Sequence, residues 1–218
     1  MSLLPVDPLV LAAFVPAALA LNLTPGADMM FCLGQGLRAG ARNAAWASAG
    51  IALGGMVHVA LAGLGLGALV AARPWLLEAI RWIGVGYLLW LAWGALRHGA
   101  ALAAAPAAVA PGGSRRSAAR AFRAGLWVNL TNPKVILFVL AFIPQFIDPV
   151  GAPILAQFLT LGAILSLGGF AVNALVGLFA GRSARWLGGN PRAPRILGAV
   201  SGTIFTLLAL RLALSERG

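Results

Sequence analysis

The sequence predicts an all-α integral membrane protein with six transmembrane helices, arranged as two inverted three-helix repeats in which helices one and four are broken. Three observations carry this expectation. The 218 residues are 61% hydrophobic and only 10% charged, with a mean hydropathy of +0.91, too apolar for a soluble domain of this size to cover with polar surface. Six apolar runs each exceed the roughly 20 helical residues that cross a hydrocarbon core. Parts of the first three runs recur in the last three. Asn22-Leu23-Thr24-Pro25 returns as Asn129-Leu130-Thr131-Asn132-Pro133, and Ala60 to Gly67 returns as Ala174 to Gly181. At that second offset Arg81, Gly84 and Ala95-Leu96-Arg97 return as Arg195, Gly198 and Ala209-Leu210-Arg211. A duplicated half with paired broken helices is a sequence sign of a secondary transporter.

The runs occupy roughly Pro5 to Gly36, Ala45 to Ala72, Trp75 to Leu96, Phe122 to Ile147, Ile154 to Gly181 and Ile196 to Leu214. Porin-type alternation is absent, which leaves helices as the spanning structure. The first run lacks the basic flank and cleavage site of a removable signal peptide and is expected to stay. Pro25 and Gly26 break span one, and Pro133 breaks span four. Glycines in spans two and five, among them Gly54, Gly55, Gly63, Gly168, Gly169 and Gly177, permit close helix packing. Trp75, Trp82, Trp90, Trp93 and Trp186 fall toward span ends, as interface anchors do.

Six spans divide the chain into a first repeat over 1–98, an alanine- and proline-containing cytoplasmic linker over 99–121 and a second repeat over 122–218, all one membrane domain. Connections after spans one, three and five hold eleven arginines and the opposite side four. By the positive-inside rule both termini face outward. Three spans per half is an odd number, which turns the second half over relative to the first. The net charge of +11 is thus a topology signal. No basic face on a soluble element exists for nucleic acid.

Polar groups that survive at membrane depth are the functional candidates. Asn22, Thr24, Pro25, Gly26, Asn129, Thr131, Asn132 and Pro133 surround the breaks, where backbone groups lose helical partners and two symmetric kinks favour a central binding site. Asp28 and Lys134, the chain's single lysine, are the charges beside them. A charge there pairs or lines a wet cavity. A mutual ion pair and direct ligand contact are both open and compatible, with Asp28 meeting an ammonium group or a coupling proton and Lys134 a carboxylate. His58 stands near the place in span two that Asn173 takes in span five, each shortly after a Gly-Gly pair. It relays protons or bonds two helices together, the second reading being favoured. Asp148 suits a turn cap. Ser48 and His58 lie about 15 Å apart along a helix, too far to form a nucleophile and base. The lone Cys32 offers a small buried side chain and no disulfide. No cofactor or metal cluster is suggested, and an enzyme reading lacks its residues.

Thr24-Pro25-Gly26-Ala27-Asp28, Gly36-Leu37-Arg38-Ala39-Gly40, and Asn132-Pro133-Lys134 through Ala141-Phe142-Ile143-Pro144-Gln145-Phe146 resemble the lysine exporter (LysE) superfamily, nearest its homoserine/threonine exporter (RhtB) branch. The resemblance spans almost the whole chain and is most specific in span four. It implies a six-span protein of the bacterial inner membrane that expels amino acids or their derivatives, driven by the proton gradient. Two departures stand out. The usual Pro-Gly-Pro is Pro25-Gly26-Ala27, and an acid often present in span two is replaced by Gly55.

Together these readings lead to an amino-acid exporter working by alternating access in the lipid bilayer, with a small neutral amino acid such as threonine or homoserine and protons as its small-molecule partners. One acid facing one lysine gives a roughly neutral site. A non-transporting membrane scaffold, or an exporter or channel for another small solute, is the alternative. Homo-oligomerisation is left open.

Overall fold

The computed structural model describes residues 5–72, 75–98, 118–180, 182–183 and 192–214. Within them lie eight α-helices and no strand. The first break separates α1 (Pro8–Leu23) from α2 (Ala27–Ala39), and the pair bends by 53°. Asp7 starts α1 by accepting the Leu9 N–H at 2.7 Å, with Pro8 at the first helical position, where a missing donor costs nothing. Gly40 ends α2 in the left-handed region, φ 84°, its N–H on the Gly36 carbonyl. This is the conformation in which glycine escapes the Cβ clash, and it turns the chain at once into α3 (Ala41–Ala72).

After α4 (Trp75–His98), the second break separates α5 (Ala118–Leu130) from α6 (Pro133–Ala141). A 3-10 turn, Ile143–Phe146, continues α6, and this pair bends by 55°. Helix α5 begins at Ala118, a turn before the apolar run, and so carries Arg120 and Arg123. Helices α7 (Ile154–Leu178) and α8 (Arg192–Leu214) complete the chain. Residues 99–117 of the expected linker lie outside the described residues, as do Trp186 and several loop arginines. Helix α3 over Ala41–Gly65 and helix α7 are each long and apolar enough to cross a membrane alone. Counting each bent pair as one span gives four, and α8 carries a shorter apolar stretch, Gly198–Leu210.

Helix α3 packs along both α5 and α7, α2 against α3 and α7, and α4 against α8. Small residues set how near the backbones come. A methyl group on Gly50 would strike the Phe122 carbonyl, and one on Gly125 the Ala47 carbonyl, so each glycine faces the other helix's backbone. Gly36 on α2 meets the Gly177 carbonyl of α7 in the same way. A second core is aromatic: Phe14 of α1 stacks on Phe142 at 6.2 Å and meets Phe146 edge-on at 5.3 Å. The segment Ala141 to Phe146 thereby pins the end of the second bent pair to α1, with Gln145 donating to the Ala141 carbonyl at 2.7 Å. The outer surface is apolar: Leu61, Ile83, Trp90, Leu167 and Leu207 are all exposed. A large exposed apolar surface is what lipid contact requires.

Trp82, Trp90 and Trp93 are exposed, and Arg97 lies 4.1 Å over the Trp93 ring. Asp148 caps its turn by accepting the Val150 N–H at 2.9 Å. Buried Gln157, which the sequence did not single out, fixes the same loop by donating to the Asp148 and Ala152 carbonyls and accepting from the Asp148 N–H. Cys32 is free and fully buried.

Candidate functional site

Each proline strands a carbonyl. In an unbroken helix the N–H of residue 25 would bond the carbonyl of Leu21, but proline has no N–H. The Lys134 ammonium takes that place, donating to the Leu21 carbonyl at 2.8 Å and to the Thr24 carbonyl at 2.8 Å. A cation at the negative end of α1 is electrostatically favourable. The Thr24 hydroxyl turns back to the Ala20 carbonyl at 2.6 Å. At the second break Pro133 withholds its N–H from the Asn129 carbonyl, which accepts instead from the Asn132 N–H at 2.9 Å and lies 3.3 Å from His58 Nε2. Asn132 caps α6 by accepting the Lys134 N–H at 3.0 Å.

The two charges occupy equivalent stations. Asp28 is the second residue of α2 and Lys134 the second residue of α6. Asp28 sits at the positive end of its helix, which favours a carboxylate, and accepts from Asn129 Nδ2 at 2.8 Å. No ion pair joins Asp28 to Lys134 within the 4 Å at which one forms: the carboxylate is held by Asn129 and the ammonium by carbonyls. The mutual pair weighed from the sequence is therefore absent from this conformation. A lysine ammonium has three donors, so Lys134 keeps one beyond its two carbonyls.

Between the breaks lies a cavity of about 30 Å³, close to the space of a single water. Asn22, Thr24, Gly26, Asp28, Asn132 and Lys134 line it, together with Asn173 of α7 and apolar walls from Leu21, Met29 and Val135. Asp28 Oδ1 and Asn173 Oδ1, both buried, have no hydrogen-bond partner among the described residues. The cavity thus presents unsatisfied acceptors from Asp28 and Asn173 and a cationic donor from Lys134. It is far smaller than the roughly 300 Å³ or more of ordinary ligand pockets, so this conformation is closed around its polar centre.

Other expected site residues stand apart. Thr131 is exposed, its hydroxyl bonded to the Trp127 carbonyl at 2.9 Å, and it does not reach the cavity. Pro25 and Pro133 act through the donor each lacks. Asn129 lies outside the cavity lining and reaches it through Asp28. His58 also lies outside it and faces a different, apolar cavity. The sequence reading omitted Asn173 from the site and Tyr87 altogether. Tyr87, the chain's single tyrosine, donates to the Lys134 carbonyl at 2.8 Å and ties α4 to α6. Its signal was a phenol within an apolar span, which needs a partner when buried.

The flanking asparagines pack alike. Asn22 lies against the Gly168-Gly169 step of α7 and donates to the Leu165 carbonyl at 3.0 Å, while Asn129 lies against Gly54 of α3. Ser166, whose hydroxyl has no hydrogen-bond partner among the described residues, faces Gly55 at the position where the sequence departs from the resembled pattern. Among the described residues no group of three or more His, Cys, Asp or Glu side chains could hold a metal ion.

The LysE type translocator family matches residues 19–216, nearly the whole chain and both breaks. The chain belongs to the LysE family. This LysE-family protein is 33% identical over 201 residues to a homoserine/homoserine lactone efflux protein of Salmonella typhi, covering 92% of this chain and 94% of the relative. It is 30% identical over 206 residues to a leucine efflux protein of Enterobacter sp. (strain 638), covering 92% and 93%. An uncharacterized membrane protein of Vibrio cholerae is 33% identical over 207 residues, covering 94% and 96%. No solved structure matches significantly. The family resemblance in the sequence is thus borne out, and the protein is a membrane protein of a translocator family.

Proposed function

We propose that this protein exports small zwitterionic amino acids, threonine and homoserine among them, across the bacterial inner membrane by alternating access. The observation that carries the reading is the pair of opposite charges at equivalent stations of two broken helices, Asp28 and Lys134, facing one cavity. A zwitterion presents an ammonium group that Asp28 and Asn173 would accept, and a carboxylate that Lys134 would bind. Relatives named for homoserine and leucine efflux support an amino-acid substrate. The remaining residues around the breaks, Asn22, Thr24, Gly26, Asn129 and Asn132, shape the site, with Pro25 and Pro133 opening the backbone there.

The proposed architecture is six spans in two inverted repeats, 1–98 and 122–218, joined by a cytoplasmic linker, with both termini outside. Matched packing of Asn22 on Gly168-Gly169 and Asn129 on Gly54 supports it, as does the arginine asymmetry. Proton antiport is the proposed coupling, with Asp28 as the carboxylate that exchanges a proton. The closed cavity fits the occluded step of such a cycle, since an amino acid enters only when the halves move apart.

Counterflow of labelled homoserine, threonine and leucine into proteoliposomes tests the proposal. The expected result is saturable exchange of the amino acids, accelerated by a pH gradient and slowed at least tenfold, though still measurable, in Lys134→Ala. Absence of exchange with folded protein would leave the scaffold or another solute as the reading.

A further inference from the structure

The two carbonyls that lack a helical amide because of a proline are each reached from the opposite half of the chain. Lys134 in the second half donates to Leu21 in the first, and His58 in the first half lies on Asn129 in the second. A carbonyl oxygen only accepts, so a hydrogen bond at 3.3 Å requires the proton on His58 Nε2. The cavity that the ring faces offers it no second polar side chain among the described residues. Beyond Asn129, His58 lines a cavity of about 540 Å³ between α3, α4, α6 and α7 whose remaining walls are apolar, among them Leu61, Ile83, Ile136, Leu140 and Phe158. A relay needs a second polar partner, and that cavity supplies none.

We propose that His58 is a positioning residue of the second break: its Nε2–H stands in for the amide hydrogen that Pro133 lacks at the Asn129 carbonyl, as the Lys134 ammonium does for Pro25 at the Leu21 carbonyl. The Asn129 side chain holds Asp28, so by fixing the Asn129 backbone His58 sets the acid through Asn129 without touching substrate. The effect on transport rests on the exporter reading above. The cap itself does not.

A double-mutant cycle between His58 and Pro133 tests this, read both as counterflow in proteoliposomes and as thermal unfolding of the purified protein. His58→Leu leaves the carbonyl with the Asn132 N–H as its donor and is expected to slow transport about threefold to tenfold, the scale of one lost hydrogen bond at a carbonyl that keeps another. His58→Gln, which keeps an amide donor, is expected to stay near wild type and to keep the wild-type pH profile. In a Pro133→Ala background residue 133 regains its N–H for Asn129. His58→Leu should then cost little more in either readout. The proposal is overturned if His58→Leu costs as much with Pro133→Ala as without it, or if His58→Gln is as impaired as His58→Leu and flattens the pH profile. Should transport be absent in every variant including wild type, the exporter reading fails while the unfolding cycle still decides the cap.

Discussion

At the scale of single residues, the asparagine-to-aspartate hydrogen bond is where packing and chemistry meet. Asn129 is buried at 3% exposure, and its amide reaches Asp28 only because Gly54 leaves room beside it. A methyl group on Gly54 would lie 2.7 Å from Asn129 Oδ1 and 2.9 Å from its Cβ. Gly54→Ala is therefore expected to push the amide off Asp28 and to lower counterflow by about tenfold, the size of one lost buried hydrogen bond. A Gly65→Ala control, with nothing near its Cβ, should transport normally. Asp28 and Lys134 were legible in the sequence because charges are rare and costly at membrane depth. Their separation in this conformation was not legible, since nothing in a sequence says which backbone carbonyl a lysine will choose. Asn173 was noticed as the counterpart of His58 but not placed in the site, for a related reason: an amide's meaning depends on the cavity it faces.

At the scale of elements, the breaks were legible because proline removes a donor wherever it stands, and the structure bends at both. Close helix packing was also legible in the glycines, but which helices meet was not, because small residues permit an approach without naming the partner. Gly36 shows the stakes. Its neighbours are the Gly177 carbonyl and, at 2.7 Å, the Ala180 Cβ, so backbone and side-chain root would both have to yield. Gly36→Val should separate α2 from α7 and destabilise the protein by about 1–3 kcal/mol or more, seen as a lower midpoint in thermal unfolding. Thr131 marks a limit of reading by symmetry. It matches Thr24 in the repeat, yet Thr24 is buried over the cavity and Thr131 is exposed, because two halves of one chain need not close to the same degree.

At the scale of the whole molecule, the proposed arrangement is two oppositely oriented halves that close on a shared polar centre and cap each other's broken helices. Opposite orientation fixes which loops lie inside. In a Cys32→Ala background, a cysteine at Gly218 should react with a membrane-impermeant thiol reagent in intact cells. One at Arg42 should react only after the membrane is opened, and the reverse pattern would invert the topology. In the proposed cycle Lys134 reads a carboxylate and Asp28 an ammonium group. Competition in counterflow tests it most directly, using the best-exchanged amino acid, its decarboxylated amine and its hydroxy-acid analogue against wild type, Lys134→Ala and Asp28→Asn. Wild type is predicted to prefer the amino acid over both analogues. Lys134→Ala should lose the discrimination against the amine alone, and Asp28→Asn the discrimination against the hydroxy acid alone. Retention of both preferences in both variants, at any residual rate, would contradict the assignment.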